Sequence, residues 1–101
     1  MAAPNAPELT AAATAFLLDK IRACSVRGPY RAVFYSTQLY EGPCPQTVRL
    51  GQDLSAAGGT ALMQRVFDRV QAEVEATLPF EYLSDLRELS AAWNGVGGWQ
   101  A

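Results

Sequence analysis

The sequence has no histidine and only two cysteines, Cys24 and Cys44, so the residues that most often carry catalysis and metal binding are scarce. Without histidine, the chain lacks the commonest general base and the commonest zinc and haem ligand. Two cysteines twenty positions apart supply neither a metal site nor a disulfide framework. We therefore predict two reduced thiols, no metal and no cofactor, and we do not expect an enzyme.

The sequence also lacks a long apolar run. No stretch approaches the roughly 20 apolar residues of a membrane span, and no basic segment precedes an apolar core as in a signal peptide. The prediction is a cytoplasmic protein. The net charge is −2, but residues 1–50 hold five basic and three acidic residues, whereas residues 51–101 hold three and seven. Such a division can steer docking with a partner.

Two stretches in the second half have the apolar spacing of helices. From Thr60 onward an i, i+3, i+4, i+7 pattern connects Leu62, Met63, Val66, Phe67, Val70, Val74 and Leu78. After Pro79 a second stripe connects Tyr82, Leu83, Leu86, Leu89 and Trp93. We predict two antiparallel helices that pack as a hairpin, with Phe67 and Val70 in the central core, because neither helix buries its stripe alone.

The first half predicts a helix followed by a β-hairpin. Asn5 and Glu8 form a capping pattern, and one stripe follows through Leu9, Ala13, Phe16, Leu17, Ile21 and Cys24 before Gly28-Pro29 ends the helix. Aromatic and β-branched residues over 30–40 favour a strand, with a helix as the alternative. The proline-rich 41–46 segment predicts a turn, and residues 47–50 a second strand.

In the linker before the long helix, we predict one helical turn over 54–57 and a break at Gly58-Gly59. The complete prediction is an α+β fold of order α-β-β-α-α, forming one domain over 1–101 with flexible tails at 1–4 and 96–101. In the hairpin, Phe34 and Tyr40 point away from the face that the helices cover. We therefore predict a homodimer that covers both aromatic side chains.

The glycine-rich end, Trp93 to Trp99, is the most unusual local feature. It resembles a phosphate-binding loop in its glycines but ends a helix instead of opening one, which argues against that function. Two interpretations remain: Trp99 is a binding residue on a flexible arm, or it folds back onto Trp93. A basic group with interleaved tyrosines, Lys20, Arg22, Arg27, Arg31, Tyr30 and Tyr35, is the nearest feature to a nucleic-acid site.

Possible catalytic groups are few. Glu81, Asp85 and Glu88 share one helical face, and we interpret them as a solvated surface rather than a general acid/base site. Cys44, between two prolines, is expected in an exposed turn without a neighbouring base.

The function predicted from these features is a small intracellular protein-binding module, an adaptor or inhibitor that acts by surface contact. The candidate binding residues are Phe34, Tyr40, Trp99, Arg27 and Arg31. The alternative is a small nucleic-acid-associated regulator that uses the basic and aromatic residues around 20–35, and an enzyme comes third.

Overall fold

A computed structural model describes residues 6–24, 33–36 and 42–100. Within these ranges the architecture is mostly helical. Three α-helices, α1 (Ala6–Ala23), α2 (Pro45–Thr77) and α3 (Ser84–Ala92), are accompanied by a 3₁₀ turn, Phe80–Leu83. Two-residue strands β1 (Tyr35–Ser36) and β2 (Gly42–Pro43) pair antiparallel, with Tyr35 opposite Pro43. The predicted α+β fold is wrong, since this short bridge takes the place of the hairpin.

The first helix is confirmed, but its buried face differs from the predicted stripe. The buried positions recur at helical spacing and are Thr10, Ala13, Thr14, Leu17, Leu18 and Ile21. Thr14 reaches the core without an unsatisfied hydroxyl, because its Oγ1 donates a 2.7 Å hydrogen bond to the Thr10 carbonyl. Phe16 lies at the rim of this face and is 38% exposed. The sequence prediction that placed Phe16 in the core is therefore wrong.

Residues 47–50, predicted as the second strand, lie inside α2. Pro45 occupies the start of this helix, where proline's missing N–H is not needed and its fixed φ suits the first turn. The N–H groups of Thr47 and Val48 both donate to the Cys44 carbonyl, at 3.0 and 3.1 Å. Thr47, Gly51 and Leu54 form a buried face at helical spacing. The predicted turn over 54–57 is thus part of a longer helix that begins at Pro45.

Helix α2 is interrupted at Gly59, which confirms the break predicted at Gly58-Gly59. Gly59 has φ 68° and ψ −164°, values that are not helical. A continuous helix would separate residues 50 and 77 by about 40 Å, at 1.5 Å per residue. Yet Leu50 lines a groove with Phe16, and Thr77 accepts a hydrogen bond from Arg22. Phe16 and Arg22 are only about 9 Å apart along α1, so residues 50 and 77 are much closer together than in a continuous helix. Residues 45–58 and 60–77 are therefore two helical segments that bend toward each other.

The helices predicted over 60–78 and 82–93 are confirmed in position and in most of their buried residues. Segment 60–77 buries Leu62, Met63, Val66, Val70 and Val74, and the stripe that follows buries Leu86, Leu89 and Trp93. Phe67 is only half-buried and packs at the edge of the core. The prediction of a central position is correct for Val70 and wrong for Phe67.

Trp93 is fully buried and joins α3 to the first segment of α2. Its indole Nε1 donates a 2.9 Å hydrogen bond to the Thr47 carbonyl. The ring lies directly on the helix backbone at Gly51, where an added Cβ would come within 2.8 Å of Cδ1 and Nε1. Glycine at position 51 therefore creates the space that the largest core side chain occupies. Over the described residues, no helix is both long enough and apolar enough to cross a membrane.

Candidate functional site

Phe34 is part of the core, and its predicted exposure on an outer hairpin face is wrong. The side chain is fully buried. Its carbonyl accepts a 2.7 Å hydrogen bond from the Cys44 N–H, next to the strand pair. Since Phe34 is covered within its own chain, it provides no reason for a second copy, and the argument for a homodimer loses this support.

Glu88 holds the segment that carries Phe34. Its Oε1 accepts hydrogen bonds from two consecutive backbone N–H groups, that of Val33 at 2.7 Å and that of Phe34. A carboxylate that receives backbone donors is a strong, charge-assisted acceptor. The second carboxylate of this helical face, Asp85, is only 2% exposed. The prediction of a solvated acidic face is therefore wrong for Asp85 and Glu88, while the side chain of Glu81 lies outside the described residues.

Trp99 folds back onto the protein, so the interpretation as packing is confirmed and that of a free arm is wrong. It is 7% exposed and contacts Trp93 edge-on, with ring centroids 5.3 Å apart, and Phe67 at 5.6 Å. Its indole Nε1 donates a 3.1 Å hydrogen bond to Ser90 Oγ. The aromatic rings therefore form an ordered cluster at the end of α3.

The chain that leads to Trp99 also forms internal hydrogen bonds, while the flexible tail expected over 96–101 stays a prediction. The Val96 N–H donates to the Trp93 carbonyl and the Trp99 N–H to the Val96 carbonyl, both at 2.9 Å. The Gly95 N–H donates to the Trp99 carbonyl at 2.8 Å and closes the loop. Positive φ angles at Gly95, Gly97 and Gly98 allow this course.

The remaining predicted binding residues, Arg27, Arg31 and Tyr40, lie outside the described residues. Of the basic group around them, Arg22 donates from Nη2 to Thr77 Oγ1 at 3.3 Å, and Lys20 lies over the Phe16 ring. Arg22 and Lys20 thus contact other residues of the protein, while the side chain of Tyr35 lies outside the described residues.

The clearest unexplained surface surrounds Phe16, between α1 and the first segment of α2. Phe16 is the one large hydrophobic side chain classed as exposed over the described residues. The Lys20 Nζ lies 5.4 Å from its ring centroid, a cation–π distance. With residues of α2, Phe16 lines a groove of about 270 Å³; the α2 residues are Gln46, Arg49, Leu50 and Asp53. We call Phe16, Lys20, Arg49, Leu50 and their groove neighbours the Phe16 surface.

Sequence reasoning missed this surface because it assigned Phe16 to the core and residues 47–50 to a strand. The signal for α2 was present as Pro45 at a first helical position. The exposure of Phe16 was harder to predict, because the buried face of α1 includes the polar residues Thr10 and Thr14 and therefore does not coincide with the stripe of apolar residues. Only the packing of α1 on α2 shows which face of α1 is buried and which face is exposed.

The described residues also line further shallow grooves, of which two adjoin the Trp99 loop and α3. One, of about 320 Å³, lies between the start of segment 60–77 and the loop around Trp99. The other, of about 330 Å³, is lined by Phe67, Leu83, Leu86 and Arg87, together with Gln71 and Ser90. These volumes are at the lower limit of typical small-molecule sites. In residues 6–24, 33–36 and 42–100, no three His, Cys, Asp or Glu side chains are grouped to hold a metal ion.

Comparisons with protein-family models, with curated proteins and with solved structures found no match to this chain.

Proposed function

We propose that this protein is a small protein-binding module whose contact region is the Phe16 surface. The observation that carries the proposal is the 38% exposure of Phe16 on a helix whose buried face is already complete without it. Aromatic and arginine side chains are enriched at the centres of protein interfaces, and Phe16 lies beside Arg49.

The charges of the Phe16 surface favour an acidic partner segment. Lys20 and Arg49 bring two cations to the apolar patch, while Asp53 lies one helical turn beyond Arg49. A peptide that presents an apolar side chain flanked by carboxylates would cover Phe16 and Leu50 and pair with both cations. We infer that the partner is a protein with such a segment.

The test uses two variants on the surface and one away from it. Phe16→Ser removes the apolar contact, Arg49→Ala removes a cation, and Arg65→Ala is the matched control, because Arg65 is also an exposed arginine of α2 but lies outside the groove. Each protein is immobilised for quantitative capture from a lysate of the source organism, and captured proteins are then titrated in purified form. A hot-spot loss of about 2 kcal/mol corresponds to roughly 30-fold weaker binding.

The expected result is a partner rich in acidic residues that loses at least tenfold in affinity with Phe16→Ser and with Arg49→Ala but not with Arg65→Ala. Phe16→Ser should lower the free energy of unfolding by only about 1–2 kcal/mol and leave the protein folded, because the ring is 38% exposed and loses only part of the burial of a core phenylalanine. Equal binding by all variants would show that the surface is not the contact region.

The same experiment addresses the nucleic-acid alternative. If DNA or RNA is captured instead and its affinity falls steeply as salt rises, phosphate contacts dominate and the protein-binding proposal is wrong.

A location in the cytoplasm remains part of the proposal; its support is that Cys24 and Cys44 do not form a disulfide.

A further inference from the structure

The bend in α2 has little local support at Gly59 itself. A Cβ built on Gly59 meets no neighbouring atom within 4 Å, so the space on that side of the residue is open, whereas Leu62 packs against Gly58 one position earlier. Its positive φ is the conformation that glycine adopts without a steric penalty, and glycine is also the residue with the most alternatives to it. Parts of the chain that pack on both segments 45–58 and 60–77 therefore contribute to the angle between them.

The C-terminal loop, residues 93–99, contacts the first of these segments. Trp93 donates its indole hydrogen bond to the Thr47 carbonyl and packs on Gly51. Near the bend, Gly97 lies so close to Ser55 that an added Cβ would overlap the Ser55 hydroxyl and come within 2.6 Å of its Cβ. The loop therefore holds segment 45–58 at two levels, near its beginning and near its end.

The same loop contacts the second segment. The Trp99 ring packs on Phe67 with centroids 5.6 Å apart. A Cβ on Gly98 would lie 3.7 Å from Thr60 Cγ2, and one on Gly97 would lie 3.9 Å from Met63 Sδ. Gly97 is thus adjacent to both segments, on either side of Gly59.

The loop is itself a closed unit, because its three internal backbone hydrogen bonds join Trp93, Gly95, Val96 and Trp99. The edge-on contact between its two tryptophan rings completes it.

A closed loop that contacts both sides of a glycine bend restricts the relative motion of those sides. Helix α1 also contacts both segments, with Phe16 beside Leu50 and Arg22 at Thr77. We infer that the C-terminal loop is a second contact across the bend at Gly59, and that its release allows segments 45–58 and 60–77 to move more freely relative to each other.

Two glycine-to-alanine changes, one at Gly95 and one at Gly97, test as a matched pair whether the C-terminal loop restrains the bend. Gly95 and Gly97 both have positive φ, at 85° and 56°, so alanine is strained at either position. A Cβ at Gly95 meets nothing within 4 Å, whereas one at Gly97 collides with Ser55. Only Gly97→Ala should therefore push the loop away from α2.

The measurement is native-state hydrogen exchange, which reports local opening residue by residue. Amides of 56–62 should exchange at least tenfold faster in Gly97→Ala than in Gly95→Ala, while those of the buried part of α1, around Leu17, differ less than threefold. Ser55→Gly added to Gly97→Ala removes the colliding atoms and should restore slow exchange at the bend.

Equal exchange at 56–62 in the two alanine variants would overturn the inference, as would a uniform increase along the whole chain. If Gly97→Ala does not fold, Trp99→Phe takes its place, because it removes the hydrogen bond to Ser90 and reduces the contact with Phe67. Faster exchange at the bend than in α1 then supports the inference, and uniform exchange refutes it.

Discussion

Replacing Gly51 by alanine tests the central packing contact of this fold, because two opposite effects compete at this position. In an ordinary helix, Gly→Ala stabilises by up to about 1 kcal/mol, since alanine restricts the unfolded chain and glycine does not. Here the new Cβ would lie 2.8 Å from Cδ1 and Nε1 of Trp93, closer than non-bonded carbon atoms approach. Either the indole or the helix must move.

The size of the effect follows from what Trp93 would lose. Overpacking a core typically costs about 1–3 kcal/mol. Displacement of the ring also weakens its 2.9 Å hydrogen bond to Thr47, and a buried donor left without a partner costs about 1–3 kcal/mol. After subtraction of the helix-propensity gain, the range is about 1–5 kcal/mol, and we expect Gly51→Ala to lower the free energy of unfolding by about 3 kcal/mol, the middle of that range. For a domain of this size, that is roughly 10–20 °C in Tm.

Chemical denaturation followed by tryptophan fluorescence gives the free energy, and near-UV circular dichroism reports the Trp93–Trp99 pair directly. The neighbouring change Gln52→Ala is the control, because Gln52 is exposed on the same helix and should alter stability by less than about 0.5 kcal/mol. In a Trp93→Leu background, Gly51→Ala should be neutral or stabilising. A stabilising effect of Gly51→Ala in the parent protein would refute the packing described for the indole ring.

Three further changes give stability predictions, each measurable by denaturant unfolding. Glu88→Ala leaves two backbone donors of segment 33–34 without their acceptor and should lower the free energy of unfolding by about 2–3 kcal/mol. The control Arg87→Ala, at an exposed neighbouring residue, should lower it by less than about 0.5 kcal/mol, and equal effects of the two changes would contradict the carboxylate contact. Phe67→Ala should lower the free energy of unfolding by about 2–3 kcal/mol. This is less than the roughly 3–5 kcal/mol of a fully buried phenylalanine because the ring is half-buried, but it remains substantial because the ring packs on Trp99. A loss under about 1 kcal/mol would show that this aromatic contact contributes little. Thr47→Val should stabilise by about 1 kcal/mol, because the buried hydroxyl has no hydrogen-bond partner among the described residues, and destabilisation would reveal a partner.

The sequence by itself determined the elements whose apolar residues recur at helical spacing. Segment 60–77 and the stripe from Tyr82 to Trp93 were both predicted, because a helix with one apolar side has only that side to bury. Gly58-Gly59 was also correctly predicted to interrupt the chain, since glycine is the residue that enters the region of positive φ without strain.

The tertiary structure decided the elements in which local preference and packing disagree. Residues 47–50 contain threonine and valine, which favour strands, but the helix that begins at Pro45 gives Trp93 a carbonyl and a glycine surface to pack on. Strand propensity differs between residues by only about 1 kcal/mol, less than burial of an indole contributes.

The Phe16 surface likewise follows from the packing of the helices rather than from any one of them. Phe16 and Leu17 are adjacent and both apolar, and the periodicity alone allowed either to face the core. The packing of α1 on α2 buries Leu17 and leaves Phe16 exposed, and the same packing places Arg49 beside it. Residues distant in sequence become one surface only when helices pack, and no pattern within a single helix contains that information.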